Sequence, residues 1–393
     1  MYEWSQAHHE LRAEFAPWYE VLSEGHLDAD NDPGSDTDSD GGSPIRKWEQ
    51  VRASGLLRLP FHTEWGGRGL DLLSTMYVLE GLGEGCRDGG LCFSICTQLV
   101  SAGIPLQRFG GPELKARYLP GICDGSTITA HAITDPRGGS DVLGMGMTAK
   151  PDGDDHWILD GDKVFVTNGP VADLIVVYAL TDASLGPFGL TAFLVERGTE
   201  GLLAGPDLPK LGLRSSPLGE LSLRNCRIPA ANVLGRPGLG FAVLDHVMRW
   251  EILCSFIVQA GAMRHRLDRC VAHATQRRQF GRPIGSFQMI ADQIVEMKIG
   301  VENSRRWLYD AAEGVVRGRD VTTDVAIAKV VTSEANVRSA LAAVQIFGGR
   351  GYLAETGLEK DLRDAVGGTI YSGTTQMQRI RIARMLGLKE SQT

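Results

Sequence analysis

Three stretches of this chain, roughly 241 to 275, 287 to 317 and 323 to 347, keep an apolar repeat of helical period with few breakers inside. Helices of that length cannot bury their apolar faces alone. They pack as an antiparallel bundle, and their outer faces often make oligomers. The region before them has a different rhythm. LIVVYAL, LTAFLVE and GELSLRNCRI read as strands bounded by Gly, Pro and Asn. HWILDGDKVFVTNG reads as two short runs joined at Asp160-Gly161, a hairpin signal. Earlier still, LLSTMYVLEGLG, LCFSICTQLVSAGIPLQRFG and GPELKARYLPGI read as helices, the last with Pro112 at its start. This order predicts an α+β chain with a helical domain over 1–128, a small β domain over 129–238 and a helical bundle over 239–393.

Residues 24–44, EGHLDADNDPGSDTDSDGGSP, hold almost no large apolar side chain, so burial cannot offset their ordering entropy and a solvated, mobile acidic loop is expected. With 393 residues, of which 43% are hydrophobic, the rest of the chain is long enough for several cores. The formal charge of -8 argues against a nucleic-acid partner, which needs a basic face. No run of eighteen or more apolar residues occurs, so no membrane span is expected. MYEWSQAHHELRAEF lacks the marks of a targeting peptide, which points to a cytoplasmic protein. Seven cysteines, an odd number, suit reduced packing thiols better than a disulfide framework. Cys92 and Cys96 lie four apart in a helical pattern and are either core thiols or half of a zinc site. No second His or Cys cluster follows, and no metal is expected.

The common nucleotide and hydrolase signatures are missing. No GxGxxG follows a strand, and neither GxxxxGK[ST] nor a GxSxG elbow is present. What remains are turns at strand ends, ITDPRGGSD from Ile133 and VTNG from Val166. Such turns are either structural or a cradle of backbone N–H groups and hydroxyls that suits a flat heterocycle and a pyrophosphate.

ITDPRGGSD, WILDGDKVFVTNGPVAD, KLGLRSSPLGELSLRNCRIPAANVLG, RRQFGRPIGSFQ, QIFGGRGY and LRDAVGGTIYSGTTQMQR occur in that order. With these motifs the chain, from about residue 50 to its end, resembles an acyl-CoA dehydrogenase. The resemblance implies a helical domain, a central β domain and a C-terminal four-helix bundle, with FAD bound between subunits of a homodimer or homotetramer. It places Ile133, Thr134 and Thr167 at the isoalloxazine edge, Phe165 against the ring and Ser140 on the pyrophosphate. Arg277 and Phe280 would reach a neighbouring subunit's FAD, with Gln345 and Gly349 as its other contacts, and Thr374 and Gln376 near the adenosine and pyrophosphate. An Arg facing a phosphate forms a charge-assisted fork. The implied substrate is an acyl thioester on CoA or a carrier protein, and an electron acceptor is needed as partner.

The implied reaction is α,β-dehydrogenation: a base takes the α-proton while the β-hydride goes to the flavin, and a backbone N–H helps hold the thioester oxygen. In most members the base is the Glu of YEGT. Here, in TIYSGTTQ, that position is Ser372, which keeps the backbone N–H but is a poor base, with Tyr371 beside it on the substrate side. Isovaleryl-CoA and long-chain members use a second location, on the helix ahead of RxxFG, which corresponds here to Glu251. Its helix neighbours Val247, Met248, Cys254 and Ser255 are not cationic, so burial should raise its pKa toward that of a general base. Glu251 is either this base or an ion-pairing residue in register. Ile252 replaces the usual Arg, and Arg249 stands where many members bind the pantetheine arm through Asp. A polar or branched acyl group, or a carrier-bound one, is therefore expected. Two alternatives keep the fold: a flavin monooxygenase or oxidase without an α-proton base, and a paralogue that binds FAD or a partner without turnover.

Overall fold

The computed structural model describes residues 4–27 and 45–388. Apart from its first four residues, the acidic segment 24–44 lies outside them.

The chain opens with helices α1 (Gln6–Ser23), α2 (Trp48–Ser54), α3 (Leu72–Gly85), α4 (Gly89–Gln98), α5 (Ile104–Phe109) and α6 (Pro112–Asp124). Polar caps set several starts. Asp71 accepts from the Ser74 N–H at 2.7 Å and Asp88 from Leu91 at 3.0 Å, while Pro112 opens α6 as expected. Between α4 and α5, Leu99–Gly103 widens into a π turn just ahead of Pro105, which has no N–H for the ladder. The stretch Gly89–Phe109 is apolar and long enough to cross a membrane by composition, yet 89% of its most apolar window is buried inside the protein. Its hydrophobicity is that of a core helix, with Leu91, Ile95 and Val100 nearly inaccessible.

A seven-stranded sheet follows, with strands β1 (Thr129–Ala132), β2 (Thr148–Asp152), β3 (His156–Thr167), β4 (Leu174–Leu180), β5 (Leu190–Glu196), β6 (Leu202–Ala204) and β7 (Leu218–Pro229). β1 runs parallel to β4, with His131 opposite Val176, and β5 pairs antiparallel on β4. β2, β3, β7 and β6 continue the sheet in antiparallel register. The expected hairpin at Asp160-Gly161 is not there. β3 runs straight through, and the pair marks a β-bulge against β7 between Leu159 and Gly161. Gly161 takes φ +143°, and a Cβ there would lie 2.9 Å from the Met147 Cα. A turn-favouring dipeptide and a bulge need the same residue, one without a side chain in a strained conformation. The hairpin instead joins β2 to β3 around Gly153.

The C-terminal layer is α7 (Gly240–Gln276), a two-stranded hairpin β8 (Arg278–Gln279) and β9 (Arg282–Pro283), then α8 (Gln288–Val316), α9 (Thr322–Phe347), α10 (Leu358–Gly367) and α11 (Thr375–Met385). The long helices end within one residue of the periodic segments. α7 belongs to both halves of the molecule: its N-terminal part joins the core of the sheet and first helices, and Met263, Leu267 and Cys270 join a second core with α8 and α9. It meets α3 almost backbone to backbone. A Cβ on Gly83 would fall 2.0 Å from the Val258 carbonyl oxygen, and one on Gly261 would fall 2.1 Å from that of Glu80. Glu80, 3% exposed, also ties three helices together. Arg305 of α8 donates to it at 2.5 Å, Tyr309 at 2.7 Å, and Arg12 of α1 lies 3.6 Å away. This bracing fixes where α7 presents Glu251 to the sheet.

Candidate active site

Glu251 lies on the buried side of α7 and is 9% exposed. Its carboxylate points inward, to the place where β1 meets the turn between α10 and α11. Ser372 Oγ donates to Glu251 Oε1 at 2.5 Å, and His131 Nε2 lies 2.9 Å from Oε2. The two positions where the family carries its base, residues 251 and 372, are 121 residues apart in sequence and in hydrogen-bond contact in space. Glu251 is paired, but with residues of the site rather than with a surface charge.

The turn that carries Ser372 is built for this contact. Ser372 takes φ +56° and Gly373 φ +78°, successive left-handed residues that reverse the chain. Gln378 Nε2 donates to the Ser372 carbonyl at 3.0 Å, and the Thr375 N–H donates to the Thr369 carbonyl at 3.0 Å. Thr374 caps α11 by accepting from the Met377 N–H at 3.2 Å. Among the described residues nothing accepts from the Ser372 backbone N–H, which leaves it available for a thioester oxygen. Beside it, Gln259 Nε2 donates to the Tyr371 hydroxyl at 2.5 Å, and the Tyr371 ring packs on Phe93 with centroids 4.4 Å apart.

The electrostatics differ from the sequence expectation. Burial pushes the Glu251 carboxyl up, but the facing His131, through charge and hydrogen bond, and the Ser372 hydroxyl outweigh it and hold the group below its ordinary 4.5. The helix neighbours of Glu251 are indeed not cationic; the missing partner comes from another element. Burial also pushes the Cys96 thiol up to about 12 and raises the Tyr178 phenol, with Glu251 adding to both. These groups stay neutral near Glu251.

The residues expected at the flavin edge gather next to this point, where β1 leaves the sheet. The Val164 N–H donates to the Thr134 carbonyl at 2.9 Å, and Lys163 Nζ donates to the Ile133 carbonyl at 2.7 Å. Lys163 is fully buried, and burial pushes its ammonium down to about 7, against the pull of Asp135. Asn168 is spent on structure, accepting from Ser94 Oγ at 3.0 Å and donating to the Thr129 carbonyl at 3.3 Å. In contrast, the hydroxyls of Thr134, Ser140 and Thr167 make no hydrogen bond among the described residues. Phe165, on a left-handed residue at φ +56°, stands 65% exposed between them. Free donors around an exposed aromatic ring fit a flat heterocycle with a phosphate tail.

Arg277, Phe280, Gln345 and Gly349 are not part of this group. They collect at the other end of the bundle, where His273 stacks on Phe347 at 4.0 Å and Phe280 is 93% exposed. Along α7, Arg277 stands about 39 Å from Glu251 at 1.5 Å per residue. Arg249 is engaged as well: it pairs with Asp245 at 2.6 Å, and Asp245 in turn meets Arg381 at 3.1 Å. Sequence reasoning missed His131 and Lys163, and neither sits in a motif that would have marked it.

A buried carboxylate next to a cradle for a flat heterocycle, on a sheet held between helical layers, defines a flavin-dependent oxidoreductase. Three family descriptions cover the chain: "Acyl-CoA dehydrogenase, N-terminal domain" over residues 31–126, "middle domain" over 130–226 and "C-terminal domain" over 238–387. The chain belongs to the acyl-CoA dehydrogenase family, and FAD is its cofactor. It is similar to an L-prolyl-[peptidyl-carrier protein] dehydrogenase of Pseudomonas fluorescens, 40% identical over 343 residues, which are 87% of this chain and 90% of that one. Among solved structures, it resembles the prolyl acyl carrier protein oxidase AnaB with a TM-score of 0.92 and 37% identity, covering 98% of this chain and 100% of the other. PigA with FAD and proline gives a TM-score of 0.94 and 34% identity, covering 99% and 100%.

Proposed function

We propose that this enzyme dehydrogenates a prolyl group held as a thioester on a peptidyl carrier protein, with Glu251 taking the α-proton. The observation that carries the chemistry is the buried Glu251 carboxylate, hydrogen-bonded by Ser372 at the position where most members place their own glutamate. The similarity to prolyl-carrier dehydrogenases supports the acyl group and the carrier. The cavity beside the site supports a small acyl group. It measures about 60 Å³ and is lined by Phe93, Cys96, Ser255, Gln259, Asn336 and Tyr371. By the room one water needs, that is space for about four to six waters, too little for a long acyl chain. Its mainly apolar lining, with Ser255, Gln259 and Asn336 among it, suits a small ring with a nitrogen.

Bound FAD supplies the acceptor for the hydride that leaves the substrate. The protein's own part is to strip the α-proton onto Glu251 and to hold the developing oxyanion with the Ser372 N–H. Because Glu251 titrates below 4.5, it is ionised and ready at neutral pH and is lost as a base only on the acid side. The test is anaerobic mixing of the holoenzyme with prolyl, short-chain and branched thioesters on a carrier protein and on CoA. Rapid bleaching by the prolyl-carrier thioester is expected, at a rate flat from about pH 5 to 8 and falling at lower pH. A flavin that stays yellow with every thioester, and reacts with oxygen once reduced by dithionite, would move the protein to the monooxygenase or oxidase reading.

The separation between the two groups of FAD residues supports a homo-oligomer in which Arg277 and Phe280 of one copy complete the FAD site of another. Arg277→Glu is expected to lower FAD retention on desalting by about tenfold or more, since a phosphate contact becomes a repulsion. A monomer that keeps FAD as tightly as wild type would exclude the shared site.

A further inference from the structure

Two residues hold the Glu251 carboxylate, and they are not chemically equivalent. Ser372 donates to Oε1 through a hydroxyl, which can turn and accept instead. His131 approaches Oε2 with Nε2 at 2.9 Å, while its Nδ1 is buried without a hydrogen-bond partner among the described residues. A proton moved to Nδ1 would be stranded, so Nε2 carries it and His131 can only donate toward Glu251. The terminal carboxylate torsion is soft in isolation, but a group gripped at both oxygens cannot rotate.

We propose that His131 is a positioning residue for the base: by holding Oε2 it directs the incoming α-proton to Oε1, whose partner Ser372 can switch from donor to acceptor. Oε1 keeps a second lone pair for the substrate while Ser372 holds the first. When the α C–H bond breaks, its proton forms the new O–H bond on Oε1. The hydrogen bond from His131 to Oε2 survives unchanged. His131 stands in the last half of β1, two residues before Ile133, which follows the strand's end, so the imidazole is close in sequence to the expected flavin edge. This assignment rests on Glu251 being the base.

The other groups facing Glu251 do not compete for this role. They are Tyr178 from β4, Cys96 from α4, Tyr371 beside Ser372 and Ser255 on its own helix. Burial keeps the protons on the first three, leaving His131 as the ring-nitrogen donor that faces Glu251 among the described residues.

The test compares two conservative variants of the holoenzyme. Gln at 131 can place an amide nitrogen near the position of Nε2, whereas Asn is too short to reach it. The first readout is the infrared carboxyl band of Glu251, identified by its loss in Glu251→Gln and titrated without substrate. The second is the pH profile of single-turnover flavin reduction. His131→Gln is expected to keep the band midpoint within about half a unit and the rate within about threefold. His131→Asn should raise the midpoint by about one unit or more and slow reduction at least about tenfold near that midpoint, with recovery at higher pH. Identical midpoints and pH-independent rates in the two variants would overturn the assignment. The infrared titration needs no turnover, so it separates failure of this inference from failure of the substrate reading.

Discussion

Replacing Glu251 with glutamine is expected to abolish flavin reduction by a thioester, by at least about 10³-fold at neutral pH, with FAD still bound and the fold intact. The variant is informative because the amide fits the same contacts. Its oxygen can accept from His131 Nε2, and its nitrogen can donate to Ser372 Oγ, since the hydroxyl accepts as readily as it donates. No buried donor is stranded, so a loss of stability is not expected to obscure the result. Glu251→Ala would be a poorer choice, because it leaves the Nε2–H of His131 and the Ser372 hydroxyl facing an empty space at a cost of about 1–3 kcal/mol each. The measurement is stopped-flow bleaching with the visible flavin spectrum as control. Reduction at the wild-type rate in a yellow, folded Glu251→Gln enzyme would remove Glu251 from the chemistry.

The long helices were legible because period is local: α7, α8 and α9 announce themselves through their own residues, as does β4 through an unbroken apolar run. Ambiguity began where one local signal serves two structures. Asp160-Gly161 satisfies the needs of a hairpin turn and of a bulge, and only the partner strand β7 decides between them. The site was half legible for a similar reason. Motif order pointed to Glu251, Ser372 and the flavin edge, but His131 stands on a four-residue strand with no signature, 120 residues before the carboxylate it holds. Judging the acidity of Glu251 from its own helix gave the wrong direction, because its strongest partner comes from the sheet. Lys163 was hidden by its charge: a lysine in a strand reads as surface, and only the Ile133 carbonyl beneath it shows why it is buried.

The contact between residues 251 and 372 leads to a second large effect, obtained by moving the base rather than removing it. In Glu251→Ser the carboxylate is gone, and turnover should fall as far as in Glu251→Gln. Adding Ser372→Glu returns a carboxylate to the same spot from the opposite side, with the serine hydroxyl now on α7, and is expected to recover activity to within about 10- to 100-fold of wild type. Recovery should stop short for two reasons. A glutamate at 372 must tolerate a left-handed backbone, φ +56° in the present turn, and His131 loses an acceptor placed for it on α7. Ser372→Glu alone sets the opposite trap. Two carboxylates then crowd one site, so one must hold a proton, and flavin reduction should show an acid limb moved toward neutral pH. A double variant as inactive as Glu251→Ser, with FAD bound and a normal melting profile, would mean that the two positions do not present their carboxylates to the same substrate atom. Restored turnover would show that the catalytic requirement is a carboxylate at one point in space, which the chain can supply from either the helix or the turn.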